Sequence, residues 1–195
     1  MPFNITALLS LHKKCLEHWQ SHTSAPQQEG LFLLAKENHH FNYQLWNAED
    51  RARRDDQGYE FVYRAKREID HCNQQRNNRM EAMDEWFFHT LQPAAANQCP
   101  VHSETPGMMI DRLSILSLKS YHMAIQTKRE DVDAAHRQQC THKLEVINQQ
   151  LEQLALCLDL LIKEVQAKTR TFRVYHQFKM YNDPRLNPQL YGGND

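Results

Sequence analysis

The sequence predicts an all-α fold, a single-domain helical bundle of about five helices with an irregular aromatic C-terminal tail, and three observations carry that prediction. Glycine and proline are scarce, 5 and 7 in 195 residues, which disfavours short strands joined by tight turns. Apolar residues recur at steps of three and four along most of the chain, the period of a helix with one buried face. Strong breaks are few: "SAPQQEG", Gly58 and "QPAAANQCPVHSE". A hydrophobic fraction of 41% is enough for one core of ordinary size.

The first helix is expected over 5–22, with Asn4 as N-cap and Leu8, Leu11, Cys15 and Trp19 on one face. The second runs over 28–55, and Gly58 ends its link to the third, over 59–91. The fourth covers 106–128, because Thr105 followed by Pro106 is a start signal: a capping hydroxyl, then an imino acid where no amide hydrogen is needed. The fifth covers 132–168. Its Leu144, Ile147, Leu151, Leu154, Leu158, Leu161 and Val165 form a packing seam, directed against the bundle or against a second copy in a homodimer. The tail, 169–195, holds Asn-Asp-Pro and Asn-Pro turn signals, and aromatics enough to dock on the bundle.

Composition also excludes functions. A net charge of −1 supplies no basic stripe for nucleic acid. Five scattered cysteines, with no C-x-x-C pair, argue against a disulfide framework or a structural zinc and fit a reducing cytosol. No signal peptide and no apolar run of membrane-spanning length is visible, so a soluble, cytoplasmic protein is expected. There is no G-x-S-x-G motif, no P-loop and no Ser-His-Asp order.

The informative feature is polarity where hydrocarbon belongs. In the third helix the stripe Val62, Lys66 (beside Ala65), Ile69, Asn73, Arg76, Met80, Met83, Phe87 is apolar at both ends and polar in the middle. The adjacent stripe holds Arg67, Asp70, Asn77, Glu81 and Asp84. In the second helix Leu34, Phe41, Leu45, Ala48 and Ala52 read as ordinary core, while Phe32, Ala35, His39, Asn42, Trp46, Glu49 and Arg53, with Asp50 at the edge, read as a mixed stripe. The fourth helix is apolar nearly all round, yet it carries Asp111, Arg112, Ser114 and Lys119. Unpaired buried ions cost several kcal/mol each, so these groups must meet one another, water or a ligand. The expectation is an interior polar pocket shared by three helices, set against a salt-bridge network that only fixes helix register.

Four blocks, "HHFNYQLWNAEDRARR", "KREIDHCNQQRNNRMEAMDE", "SETPGMMIDRLSILSLKSYHM" and "YHQFKMYNDPRLNPQLYG", resemble in order a bacterial family, domain of unknown function number 4254. The resemblance implies a small cytoplasmic helical protein, linked to surface-polysaccharide or lipopolysaccharide synthesis, with a glycosyltransferase as partner; it brings no activity. Its pattern falls here on His39, Asn42, Trp46, Glu49, Asp50, Arg53, Lys66, Arg67, Asp70, Asn73, Gln75 and Arg76, then on Glu104 to Gly107, Asp111, Arg112 and Lys119, and ends around Lys179, Asn182 and Asp183. Asn47 stands where the family commonly has His, and Asn78 where it has Asp.

Three chemistries compete for these residues. Glu37/His40, Glu68/His71 and Asp133/His136 have the spacing of di-iron helices, but they fall off the polar stripes. A Mg²⁺ cofactor can draw on Glu49, Asp50, Asp70, Glu81, Asp84 and Asp111, which would make the protein a metal-dependent bundle enzyme. Anion recognition uses Arg53, Lys66, Arg76, Arg112 and Lys119, with Asp50, Asp70 and Asp111 beside them and free N–H groups at the Thr105-Pro106-Gly107 helix start. Asn42, Asn73 and Asn77 then bond sugar hydroxyls, and His39 or Glu49 is the candidate base. The leading expectation is a pocket for a small anionic ligand, a phosphorylated sugar or nucleotide-sugar. The competing one is a non-catalytic adaptor or oligomerisation protein whose polar centre is structural.

Overall fold

A computed structural model describes residues 3–21, 27–178, 180 and 183–191. The helices are α1 (Ile5–Gln20), α2 (Gly30–Arg51), α3 (Tyr59–Leu91), α4 (Pro106–Gln126), α5 (Ala134–Gln166) and the short α6 (Pro188–Tyr191). The fold is all-α, with no strand among the described residues. The capping residues do what their chemistry suggests: Asn4 accepts from the Ala7 amide at 2.9 Å and Thr105 from the Met108 amide at 3.2 Å.

Two boundaries differ from the sequence expectation for local reasons. α2 stops at Arg51, and a 3-10 turn over Asp55–Gln57 follows. There Arg54 pairs with Asp56 at 2.7 Å, and Gly58 takes φ 85°, a left-handed conformation that lets the chain turn into α3. α5 starts at Ala134 because Asp133 is its cap, accepting from the His136 amide at 2.7 Å. The expected end of the first helix, His22, lies outside the described residues, as do Lys179 and Asn182 of the tail.

α2 packs chiefly along α3 and α4 along α5, while α4 also meets α1, α2 and α3. That central place explains why α4 is apolar nearly all round. The core joins Leu8, Leu31, Ala35, Met80, Met83, Phe87, Met109, Ile110 and Leu113 to Leu154, Leu158, Leu161 and Val165 of the α5 seam, and Phe172 of the tail closes it. From Leu154 onward the seam is therefore committed to this chain's own bundle; Leu144, Ile147 and Leu151 are half-buried. The tail is tied down by an isolated bridge between Val101 and Thr171, and by the Gln177 amide donating to Glu81 at 2.8 Å.

Candidate functional site

The deepest face of α2 is not the aliphatic stripe but the polar one. Ala35, Asn38, His39 and Asn42 are buried, whereas of the aliphatic stripe Ala48 is buried and Leu34, Phe41 and Leu45 are only half-buried. The two stripes lie about 100° apart on the helix, and the inward one is set by what α4 offers. α4 offers Asp111 and Ser114, both buried.

Asp111 is the hub. Its Oδ1 accepts from Asn38 Nδ2 at 3.0 Å and from Asn42 Nδ2 at 2.9 Å, and its Oδ2 accepts from Arg76 Nη2 at 3.1 Å. A carboxylate only accepts, so it fixes both amides with nitrogen inward and turns the Asn42 oxygen away. Asn42 Nδ2 also donates to Ser114 Oγ at 3.0 Å, and Ser114 Oγ lies 2.7 Å from His39 Nδ1. His39 Nε2 is 3.2 Å from the carbonyl oxygen of His12, which can only accept, so the ring carries its proton on Nε2 and takes the Ser114 hydroxyl proton at Nδ1. His12 stacks on His39 with ring centroids 4.3 Å apart. Both rings are neutral: burial holds His12 down to about 3, and burial, then the neighbouring His12, holds His39 well below the ordinary imidazole range.

Outside this hub a pocket of about 310 Å³ opens between α2, α3 and α4. Asn42, Leu45, Trp46, Glu49, Asp50 and Arg53 line it from α2, Arg76 from α3, and Ile115 and Leu118 from α4. Trp46 stacks on His122 with centroids 4.3 Å apart and planes 3° from parallel. Glu49 accepts from Arg53 at 2.8 Å. Two polar atoms of the lining residues are buried without a partner: the acceptor Asn42 Oδ1 and the donor Arg76 Nε. Each such orphan costs roughly 1–3 kcal/mol, and both belong to residues that line this one pocket.

The structure thus brings together Asn42, Glu49, Asp50, Arg53 and Arg76, with Asp111 directly behind them. The remaining candidates lie elsewhere, and the expected single chamber is smaller than the sequence implied. Arg112 and Lys119 line a different groove, about 660 Å³, between α4 and α5, where Arg112 is paired with Glu104. Lys66 and Asp70 form an exposed pair at 2.8 Å, one turn apart on α3. Asn73 and Asn77 are half-buried and line none of the described pockets. His39 does not reach the pocket: both nitrogens are occupied, and it acts by orienting Ser114 and through it Asn42. Asn38 and His12 are the contributors the stripes missed. Asn38 lies one turn before Asn42, and steps of four and three through Leu8, His12, Cys15 and Trp19 were the available signal for His12.

The helix start of α4 is not an open anion seat. Gly107 N–H donates to Asp84 Oδ1 at 2.6 Å, and the Thr105 hydroxyl bonds the same carboxylate, so the protein supplies its own anion. Asp84 is buried rather than on a solvated face. Burial raises its pKa to about 6, against the lowering by its Thr105 and Gly107 hydrogen bonds. A carboxyl with a raised folded-state pKa binds its proton more tightly folded than unfolded, so this group's contribution is fully present below about pH 4 and is lost as pH rises through 6. Relative to the wild type, Asp84→Asn should therefore gain on the order of 2–3 kcal/mol between pH 4 and pH 7.5. Urea melts of both proteins across that range measure the gap, and a gap independent of pH contradicts the assignment.

Metal ligation finds little support in these positions. Glu37 is paired with Arg79 at 2.6 Å and Glu68 with Arg51 at 2.5 Å, while Asp133 caps α5. Glu81 accepts from the tail at Gln177. Among the described residues no three His, Cys, Asp or Glu side chains are placed to share an ion. Cys72 is buried and its thiol is pushed up by burial and by Glu68, which keeps it protonated.

No helix among the described residues is long and apolar enough to cross a membrane. No curated protein and no solved structure matches the chain. Residues 33–174 match the model of a family described as protein of unknown function, DUF4254, a span that holds Asp111 and its three donors and every residue of the α2–α3–α4 pocket, with His12 outside it. A match over that much of a 195-residue chain places the protein in the DUF4254 family.

Proposed function

We propose that the protein is a cytoplasmic ligand-binding bundle whose α2–α3–α4 pocket receives a phosphorylated sugar of monosaccharide size. The observation that carries this reading is the pair of buried unpartnered atoms, one acceptor on Asn42 and one donor on Arg76, in residues that line one pocket. A sugar hydroxyl donates to Asn42 Oδ1, and a phosphate oxygen accepts from Arg76 Nε and from Arg53 at the rim. Counting Asp111, the site sets the carboxylates Glu49, Asp50 and Asp111 against the guanidiniums Arg53 and Arg76. That balance suits a ligand rich in donor hydroxyls more than a bare polyanion. Trp46, half-buried and stacked on His122, gives the pocket an aromatic wall for a sugar ring. At about 310 Å³ the pocket is at the small end of ligand sites, which favours a single sugar phosphate over a nucleotide-sugar. If the pocket is catalytic, Glu49 at the rim is the base and His39 is not, since His39 has no free nitrogen. The link to surface-polysaccharide or lipopolysaccharide synthesis belongs to this same reading, with a glycosyltransferase as the protein that uses or supplies the ligand.

The test is a thermal-shift and calorimetry panel of sugar 1- and 6-phosphates, nucleotide-sugars and free sugars, each with and without Mg²⁺. A specific ligand at 100 times its Kd stabilises the fold by about 2.7 kcal/mol. Arg53 is 70% exposed, so Arg53→Ala should fold normally and weaken sugar-phosphate binding by about tenfold or more, while Lys66→Ala, away from the pocket, should leave it unchanged. A panel without a hit shifts the case to the adaptor, which Leu156 and Leu160, 65% and 56% exposed on the outer flank of α5, favour independently.

A further inference from the structure

A second cavity, unconnected with the sugar-phosphate reading, runs along the opposite side of α4. It is about 770 Å³, lies between α1, α4 and α5, and has an apolar floor that includes Leu9, Leu16 and Leu151. Small residues, Ala124 and Ser117 among them, give it depth. Two of its three serines add little polarity: Ser117 Oγ donates to the Leu113 carbonyl at 2.8 Å and Ser120 Oγ to Asn148 at 2.6 Å, so both hydroxyl protons are already used. The rim is cationic. Lys13 of α1 and Lys128, two residues past the end of α4, both line the cavity, both are exposed, and neither forms an ion pair with a described residue. Glu17 also lines it, one turn from Lys13, without closing a salt bridge to it.

We infer that this cavity binds a single-chain amphiphile, a hydrocarbon tail carrying a carboxylate or phosphate head. The argument is complementarity. The apolar lining of Leu9, Leu16, Ile125 and Leu151 outweighs the hydroxyls of Thr6, Ser10 and Tyr121, so the body of the occupant is hydrocarbon. Two ammonium groups against the single carboxylate of Glu17 leave the rim net positive, so the head is anionic. Both ammonium groups sit on flexible stems at the water edge, where they can hold a head group without being desolvated. The same chemistry has two sources, a free fatty acid or a lipid chain presented by an anionic membrane, and the experiment separates them.

The probes are dodecanoate, dodecanol, and vesicles of phosphatidylglycerol or phosphatidylcholine, applied to the full chain. Dodecanoate should bind saturably and at least about tenfold tighter than dodecanol, the order that two partly screened charge contacts supply together. The double variant Lys13→Glu/Lys128→Glu should lose that preference and keep dodecanol binding, while Ala124→Trp, which fills the cavity, should abolish both with the far-ultraviolet circular dichroism unchanged. If Ala124→Trp does not fold, Ala124→Leu and Leu9→Trp serve as the plug. Arg53→Ala should have no effect, which keeps this outcome separate from the fate of the sugar-phosphate pocket. Sedimentation with phosphatidylglycerol but not phosphatidylcholine vesicles, lost in the plugged variant, assigns the occupant to a membrane; dodecanoate binding without sedimentation assigns it to the free acid. Equal affinity for dodecanol and dodecanoate, binding that survives the plug, or no binding of either dodecanoate or anionic vesicles overturns the inference.

Discussion

Replacing Asp111 by alanine is expected to cost about 3–5 kcal/mol, a large fraction of the 5–15 kcal/mol that holds a typical domain together. The carboxylate is 4% exposed and takes hydrogen bonds from Asn38, Asn42 and Arg76, which belong to two different helices. Alanine removes the single acceptor on which those three donors converge. It leaves Asn38 with the Arg76 carbonyl alone, Asn42 with Ser114 and the Asn38 oxygen, and a guanidinium only 23% exposed without its carboxylate. Asp111→Asn should be milder, because its oxygen still accepts from one side while its new NH₂ group faces a donor. Lys66→Ala is the control: it breaks an exposed one-turn pair and should change stability by less than about 0.5 kcal/mol. Urea unfolding monitored at 222 nm measures all three. An Asp111→Ala protein within about 1 kcal/mol of wild type would mean that the hub adds nothing beyond the space it fills.

How much of this could be read from the chain depends on the range of the interaction that decides it. Helix identities and caps were legible because they are local: Asn4, Thr105 and Pro106 each act on amides within four residues. Polarity in the centre of α2, α3 and α4 was legible too, since a missing hydrocarbon at a periodic position needs only the period. Which of two neighbouring stripes turns inward was not. Leu34 and Phe41 outrank Asn38 and His39 in hydrophobicity, and only the Asp111 carboxylate on a helix more than 60 residues later reverses that order. Arg112 and Lys119 were misplaced for the complementary reason. α4 is contacted on nearly every side, so its own pattern does not distinguish the face toward α2 and α3 from the face toward α5. The burial of Asp84 was hidden because its partners, the Gly107 N–H and the Thr105 hydroxyl, lie more than 20 residues away, and a backbone amide leaves no trace in the residue sequence.

Gly107→Ala should cost about 2–5 kcal/mol even though alanine is the better helix former. A Cβ built at Gly107 falls 2.7 Å from Asp84 Oδ1 and closer still to the Met80 carbonyl oxygen, both well inside van der Waals contact. One of these atoms belongs to the α3 backbone and cannot rotate away, so α3 and α4 must separate. Overpacking of this kind costs about 1–3 kcal/mol, and stretching the Gly107 N–H bond to a buried carboxylate adds roughly 1.5–3. Helix propensity returns at most about 1 kcal/mol. With an m value of about 2 kcal/mol/M, the urea midpoint should fall by about 1–2.5 M. The double variant Gly107→Ala/Asp84→Ala separates the two contributions. If the carboxylate clash dominates, removing it recovers most of the loss. If the Met80 carbonyl dominates, the double variant is no more stable than Gly107→Ala alone, and the geometry favours that second result, because the carbonyl is the nearer atom and the one with nowhere to go.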